Sequence, residues 1–351
     1  MISSLRKLLA HQLKSNNKLK INHGGFTLIE LLVAMIVAVL IIAPLLRFMI
    51  TIVDTDRKEQ AKATSEQEIQ AAMDYIARDL EQAVYIYDNS GVERDHKEND
   101  ANNSGIKNQI PPFAKTTSCD DANTCKPVLV FWKRKYFDRI DKVDGKTIGD
   151  FTDGNDTFVY ALVAYYLITE KNDTWSDIAR IGRFEIRDQV IDVNSSTNTI
   201  PASQGFKSFD LGKRGSSLKQ KLNQWTKGAG NYETPVQILV DYIDVIDEDD
   251  QNNQNNQIEP DCPSVFPQND PNLSPEEIQK KEEALQVPSQ LKGGFYACVD
   301  ADKKIAQVFL RGNALARLKT KPEDYEYKPN RSSYFPTVTM QVEGRGFLNI
   351  K

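Results

Sequence analysis

Histidine and cysteine are scarce in this chain of 351 residues: three of the first and four of the second. His11, His23 and His96 lie far from one another and from every cysteine, and no C-x2-C pair occurs. That spacing removes the usual transition-metal and zinc arrangements. Excess basic charge is also missing. Lys and Arg total 44 against 49 Asp and Glu, for a net charge of −5, and no basic patch stands out, so nucleic acid is not an expected partner. There is no G-x-S-x-G, H-E-x-x-H or P-loop. The stretch "GRGF" at 344–347 is too short to mean a nucleotide site. A nucleophilic serine needs a histidine, and past residue 25 only His96 remains, in a polar loop. The expectation is a chain that is not an enzyme and carries no cofactor.

What is present suits a globular body. Apolar residues make up 40% and charged residues 26%, enough to bury a core. The cysteines are Cys119, Cys125, Cys262 and Cys298. An even number behind an export-like N-terminus suggests disulfides. A Cys119–Cys125 bond would close the short loop "CDDANTC", and Cys262–Cys298 would tie down the polar insertion between them. Four cysteines permit about three pairings, and the sequence does not choose among them.

Residues 1–25 hold Arg6, Lys7, Lys14, Lys18 and Lys20 and no acid. An apolar run starts at Phe26 and stays free of charge, Glu30 excepted, up to Arg47. Those 21 residues suffice to cross a hydrocarbon core as a helix. Basic residues ahead of the run keep the leader cytoplasmic and send the rest outward. A secretory signal would place its small-residue cleavage site after the apolar stretch. Here the small pair, Gly24-Gly25, comes before it. Cutting there would discard the leader, keep the helix, and leave Phe26 first and Glu30 fifth. A lone carboxylate near the middle of a bilayer-spanning helix costs at least about 2.5 kcal/mol. A plain hydrophobic anchor has no use for it.

The basic leader, the Gly-Phe junction, "TLIE" and the long apolar run together resemble the prepilin signal of type IV pilins and type II secretion pseudopilins. The resemblance covers about residues 20–50. It implies cleavage between Gly25 and Phe26 by a membrane-embedded prepilin peptidase and N-methylation of the new Phe26 terminus. A freed α-amine titrates near about 7.7 in water and would be a buried cation in the membrane. Stacked helices would set the Glu30 of one subunit against the Phe26 amine of another. The two charges neutralise each other and fix register, the best-attested use of a buried ion pair. Pro44, residue 19 after the cut, stands a few positions before the helix-kinking proline of many pilins; it is expected to bend or locally melt the helix.

Past the apolar run, "DTDRKEQAKATSEQEIQAAMDYIARDLEQAVYIYD" contains neither Gly nor Pro. Ile69, Met73, Ile76, Leu80, Ala83 or Val84, and Tyr87 recur at steps of three and four, one apolar stripe of a helix. Asp74, Arg78, Asp79 and Glu81 fall on its polar side, where an i, i+4 pair such as Asp74–Arg78 would be ordinary. Strand-like runs follow at 128–132, 157–169, 181–188, 235–247, 294–300, 305–313 and 337–344, with a hairpin expected between Phe295–Val299 and Ile305–Leu310. The fold class is therefore α+β: a long N-terminal helix, anchor plus amphipathic stalk, packed on an antiparallel β body with loop insertions. The expected divisions are a leader at 1–25, a membrane or filament-core helix at 26–50, a stalk helix at 51–87, and a β-rich body at 88–351. That body carries insertions at 88–127, 205–230 and 248–292. The second holds a short amphipathic helix, and the third a charged helix, "SPEEIQKKEEALQ", with a Ser cap and Pro at its first position.

The acidic run Asp241, Asp244, Asp247, Glu248, Asp249, Asp250 offers carboxylates of the kind Ca2+ prefers. It lacks the spaced D-x-D-x-D-G loop, and such runs are commonly solvated faces. No resident metal is expected, and Asp247, Asp249 and Asp250 form the Ca2+ candidate. "RDLEQA", with Arg78, Asp79, Leu80 and Ala83, resembles the stalk of J-type minor pseudopilins. Tyr165-Tyr166-Leu167 and "ARIGRFEI" resemble their body. Total length and Asn-rich insertions resemble the pseudopilins of cyanobacterial hormogonium polysaccharide secretion. These resemblances imply other major and minor pseudopilins as partners through the N-terminal helix, together with the prepilin peptidase and an inner-membrane assembly platform. Secreted polysaccharide or protein would be an indirect partner. They also imply a single-pass protein of the inner membrane with its body in the periplasm.

Overall fold

The computed structural model describes residues 25–114, 116, 119–245, 261–267, 273–291 and 293–348. The chain forms two compact units, residues 1–56 and 57–351. One helix, α1 (Leu28–Glu81), supplies the described part of the first unit and opens the second. In the first unit every side chain from Gly25 to Asp56 is exposed.

In the second unit α1 buries Ala61, Ser65, Ile69, Ala72, Met73, Ile76, Ala77, Asp79 and Leu80. Steps of three and four put these on one face, the stripe read from the sequence. The stalk was expected to remain helical to Tyr87, but α1 stops at Glu81 and β1 (Ala83–Tyr87) is a strand. The reason is burial. All five side chains of "AVYIY" are buried, whereas a surface helix buries only one stripe. β-Branched and aromatic side chains covered on both faces favour the extended form.

The first sheet has the order β1-β2-β5-β6-β9, with β2 (Cys125–Phe137), β5 (Thr157–Ile168), β6 (Ala179–Arg187) and β9 (Gln237–Ile243). All its neighbours are antiparallel. The second sheet has the order β10-β11-β12-β13: β10 (Gln286–Val287), β11 (Phe295–Asp300), β12 (Ile305–Arg311) and β13 (Thr337–Glu343). The expected hairpin is β11–β12, paired from Phe295↔Leu310 to Asp300↔Ile305. Two small hairpins, β3 (Lys142–Val143) with β4 (Lys146–Thr147) and β7 (Val190–Asp192) with β8 (Ser195–Ile200), help enclose a satellite core around Phe137, Ile148, Phe151, Val159, Val190 and Ile200. The β3–β4 turn uses Asp144 and Gly145, both with positive φ, as a two-residue hairpin turn demands. The class is α+β, a long N-terminal helix packed against antiparallel sheets.

Isolated bridges at Ile243↔Gly312 and Val245↔Gly293 join the two sheets. Arg317 ties α1 to the second sheet's side of the core. Its Nε donates to Ser65 Oγ at 2.8 Å, it pairs with Glu68, and its guanidinium lies 4.1 Å from the Tyr242 ring centroid. The 205–230 segment packs on the first sheet. Leu222 and Trp225 are buried, and Phe206, Phe209 and Trp225 meet Trp132 of β2 edge-on. Trp132 Nε1 donates to the Tyr87 hydroxyl at 3.0 Å, which donates to Leu222 O at 3.1 Å. Its helix, α3 (Leu218–Leu222), is only five residues long; α2 (Asn89–Glu93) lies earlier. The charged helix of the third insertion runs Pro275–Leu285 with a full capping box between Ser274 and Glu277. Both disulfides form, Cys119–Cys125 and Cys262–Cys298.

Candidate functional site

The N-terminal segment is built from its first described residues. Thr27 Oγ1 accepts from Glu30 N at 3.3 Å, and Thr27 O accepts from Leu31 N at 3.1 Å. Thr27 thus occupies a helix N-cap position, satisfying a donor that the first turn leaves free. Glu30 lies in that first turn, the favourable end of the helix for a carboxylate. Phe26 is 82% exposed. A side chain added at Gly25 would meet nothing within 4 Å among the described residues. Among the described residues, nothing in the fold calls for glycine there.

Leu31 to Leu46 is wholly apolar apart from its backbone, and none of it is buried. The helix is long and apolar enough to cross a membrane. Its backbone groups bond within the helix, which a lipid environment demands. α1 is unbroken at Pro44. Of the two outcomes expected there, a melted turn is not what the structure has, although Pro44 still lacks the N–H that would meet Leu40 O.

A second constellation lies beneath α1 in the body. Asp79 is buried, against the expectation of a solvated polar side, and three donors converge on its carboxylate. Lys133 Nζ is at 2.7 Å, the Tyr165 hydroxyl at 2.7 Å and Arg183 Nε at 2.8 Å. Glu185 extends the cluster, paired with Lys133 at 3.1 Å and with Lys135 and Arg183. Burial alone would raise the Glu185 carboxyl; Arg183, Lys133 and Lys135 outweigh it and hold the group well below the usual carboxylate range. Burial drives the Tyr165 hydroxyl well above its ordinary value, with the Asp79 charge adding to it, so it stays a proton donor. Asp74 and Arg78 are exposed, and no ion pair joins them among the described residues. Asp79, Tyr165 and Arg183 thus form one network. Sequence reasoning missed this because the partners sit about 50 to 100 positions apart. The available signal was an acid between Ile76 and Leu80, one step from the apolar stripe.

Of the acidic run, Asp241 and Asp244 are described, and each has its own partners. Asp241 accepts from Ser176 Oγ at 2.6 Å and Ser176 N at 2.9 Å. Asp244 is fully buried and accepts from Arg311 Nε at 2.7 Å and Asn313 Nδ2 at 3.1 Å. Burial pushes its carboxyl up to about 6 against the pull of Arg311 and Asn313. Asp247, Asp249 and Asp250 lie outside the described residues, as does Glu248. No group of three or more potential metal ligands occurs among the described residues.

The Prokaryotic N-terminal methylation motif matches residues 20–46 of the chain. No curated protein and no solved structure matches it. The motif supports a type IV pilin-like or pseudopilin chain. It implies processing by a prepilin peptidase, assembly with other pilins, and an N-terminal helix that serves as a single-pass membrane anchor.

Proposed function

We propose that the chain is a minor pseudopilin, a non-catalytic subunit of a periplasmic filament of the type II secretion or type IV pilus kind that supports polysaccharide secretion and gliding motility. The observation that carries the reading is the junction itself. Gly25 and Phe26 precede a helix that is exposed on every side as far as Asp56, and Glu30 stands fifth from the cut. An apolar helix with no partner of its own must be covered by lipid or by other helices. A carboxylate in its first turn suits the second environment once a neighbouring Phe26 amine is free. In this reading the basic leader is removed, Phe26 is methylated, and the body lies in the periplasm without cofactor or catalytic residue. The bulk of the packed 205–230 segment and of the disulfide-tied third insertion favours a minor subunit at or near the filament tip, because a repeated major subunit must tile tightly.

The closest competing roles are a J-type minor pseudopilin exporting proteins and a type IV pilus minor pilin. The Asp79–Tyr165–Arg183 network, formed by the residues that resemble the J type, favours the first of these. A membrane protein with an extracytoplasmic binding domain would keep its leader.

Mass spectrometry of the N-terminus tests the reading. Chain isolated from cells with prepilin peptidase is expected to begin at methylated Phe26; an intact Met1 leader would refute it. Glu30→Ala is expected to stay in the membrane and lose incorporation into filaments, read by sedimentation of sheared filaments against the membrane fraction. Normal incorporation would remove the charge-pair account of Glu30.

A further inference from the structure

The two sheets end in four edge strands, and three of them are blunted. The chain's own tail covers the start of β1, where Gly346 N donates to Ala83 O, and Arg345 N donates to Glu81 O at the end of α1, both at 2.9 Å. β9 pairs with β6 through two register shifts, and Tyr242 near its end has φ 60°. β10 is two residues long, is followed by Pro288, and offers its Gln286 carbonyl to Asn89 Nδ2 at 3.0 Å. These are the devices by which proteins keep sheet edges from pairing with strangers.

β13 has none of them. "TVTMQVE" runs seven residues with no Lys, Pro or Gly, and it pairs with β12 from Arg311↔Thr337 to Ile305↔Glu343 without a register shift. Among the described residues nothing hydrogen-bonds to its outer side. Its side chains show the same incompleteness. Val338, Met340 and Val342 stand opposite Leu310, Val308 and Ala306 on the core face, and those three are buried. Val342 is buried too, yet Val338 and Met340 are only half-buried. The flank a further strand would cover is open. On the other face Thr337, Thr339 and Gln341 are exposed hydroxyl and amide groups. Glu343, also exposed, has no ion-pair partner among the described residues.

Resting on the reading of the chain as a filament subunit, we infer that β13 is a docking edge that receives an extended strand from a different subunit of the same filament. Main-chain pairing dictates the extended form, and the alternation of the edge dictates the rest. The incoming strand places apolar side chains beside Val338 and Met340, hydroxyl or amide groups beside Thr339 and Gln341, and a cation beside Glu343.

Hydrogen–deuterium exchange over 337–343 tests this on the full chain in two forms: in filaments isolated with it, and as detergent-dissociated single chains. Unpaired edge amides exchange fast, and an added strand protects them. Exchange on the order of tenfold slower in the filament is expected. Thr339→Lys with Gln341→Lys is expected to abolish that protection while leaving the thermal midpoint of the dissociated chain unchanged. Equal rates in both forms overturn the inference. So does protection already present in the dilute dissociated chain, which assigns the edge to this chain's own residues. Protection that grows with the concentration of this chain alone assigns it to a second copy and overturns the inference as well. A chain that keeps its leader and never enters filaments defeats the functional reading first, so the two failures are distinguishable.

Discussion

Removing the carboxylate of Asp79 is the sharpest test of how the stalk helix is held on its body. At present three cations, Lys133, Lys135 and Arg183, share two anions, Asp79 and Glu185. The side chains of Lys133 and Arg183 are only 6% and 13% exposed. In Asp79→Ala one anion remains for all three. Truncating one partner of a buried ion pair costs about 3–5 kcal/mol, because the stranded charge stays buried. Lys133 keeps Glu185 at 3.1 Å, which places the cost near the lower end, about 3 kcal/mol. Unfolding entropy of about 2.1 cal/mol/K per residue over the 57–351 unit gives about 0.6 kcal/mol/K, so the midpoint falls by about 5 °C. Thermal unfolding of the full chain in detergent, followed by near-UV circular dichroism, reads this. Asp74→Ala on the exposed side of the same helix is the control and is expected to move the midpoint by less than about 1 °C. If the two variants shift alike, Asp79 does not anchor the helix and the network is incidental.

The disulfides are expected to contribute unequally. By loop-closure entropy, opening Cys262–Cys298, separated by 36 residues, costs about 4 kcal/mol, and opening Cys119–Cys125, separated by 6, about 2 kcal/mol; paired Cys→Ser variants compared by denaturant midpoint check the order. Trp225→Ala removes a buried ring that packs on Trp132 at 5.5 Å and donates to Lys207 O, at a cost of about 3–5 kcal/mol by the same measurement. Asp244 makes a pH-dependent contribution of unusual sign. Its carboxyl is raised to about 6 in the fold from an ordinary 3.8. Between about pH 4.5 and 6 the folded chain holds a proton that the unfolded chain has lost, so this contribution falls as pH rises, by about 2 kcal/mol across the window. Asp244→Asn has no such proton to lose. The wild type is therefore expected to lose stability relative to the variant as pH climbs from 4.5 to 6.5, and a constant difference would refute the assignment.

Most of the fold was legible because its signals are local. The apolar stripe of α1, the β-branched runs and the Phe295–Leu310 hairpin are each written in neighbouring residues, and the structure has them within a few positions. The Ser274 cap was legible for the same reason. The misreading at Ala83–Tyr87 shows the limit. Steps of three and four continue by coincidence through Leu80, Ala83 and Tyr87, but every residue between Ala83 and Tyr87 is apolar. A continuous apolar run is the mark of a strand covered on both faces, and it should have overridden the periodicity. The 205–230 segment was legible in its local part, the short helix at Leu218–Leu222; the packing of Phe206, Phe209 and Trp225 on Trp132 of β2 joins residues distant in the chain and was not.

The candidate site divides along the same line. Gly25, Phe26 and Glu30 lie close together in the chain, within the stretch that the methylation motif matches, so what marks them is local. Asp79 is the contrary case. A helical wheel places it one step off the stripe, and whether that step faces solvent or core depends on what lies across from it. Only when Lys133, Tyr165 and Arg183 are brought beneath the helix does a buried carboxylate become favourable. The edge of β13 is less legible still. "TVTMQVE" reads as an ordinary strand, and that its outer side meets no hydrogen-bond partner among the described residues follows only from where the rest of the chain has gone. What a strand does for itself can be read along it; what it leaves undone for a partner depends on where every other edge has gone.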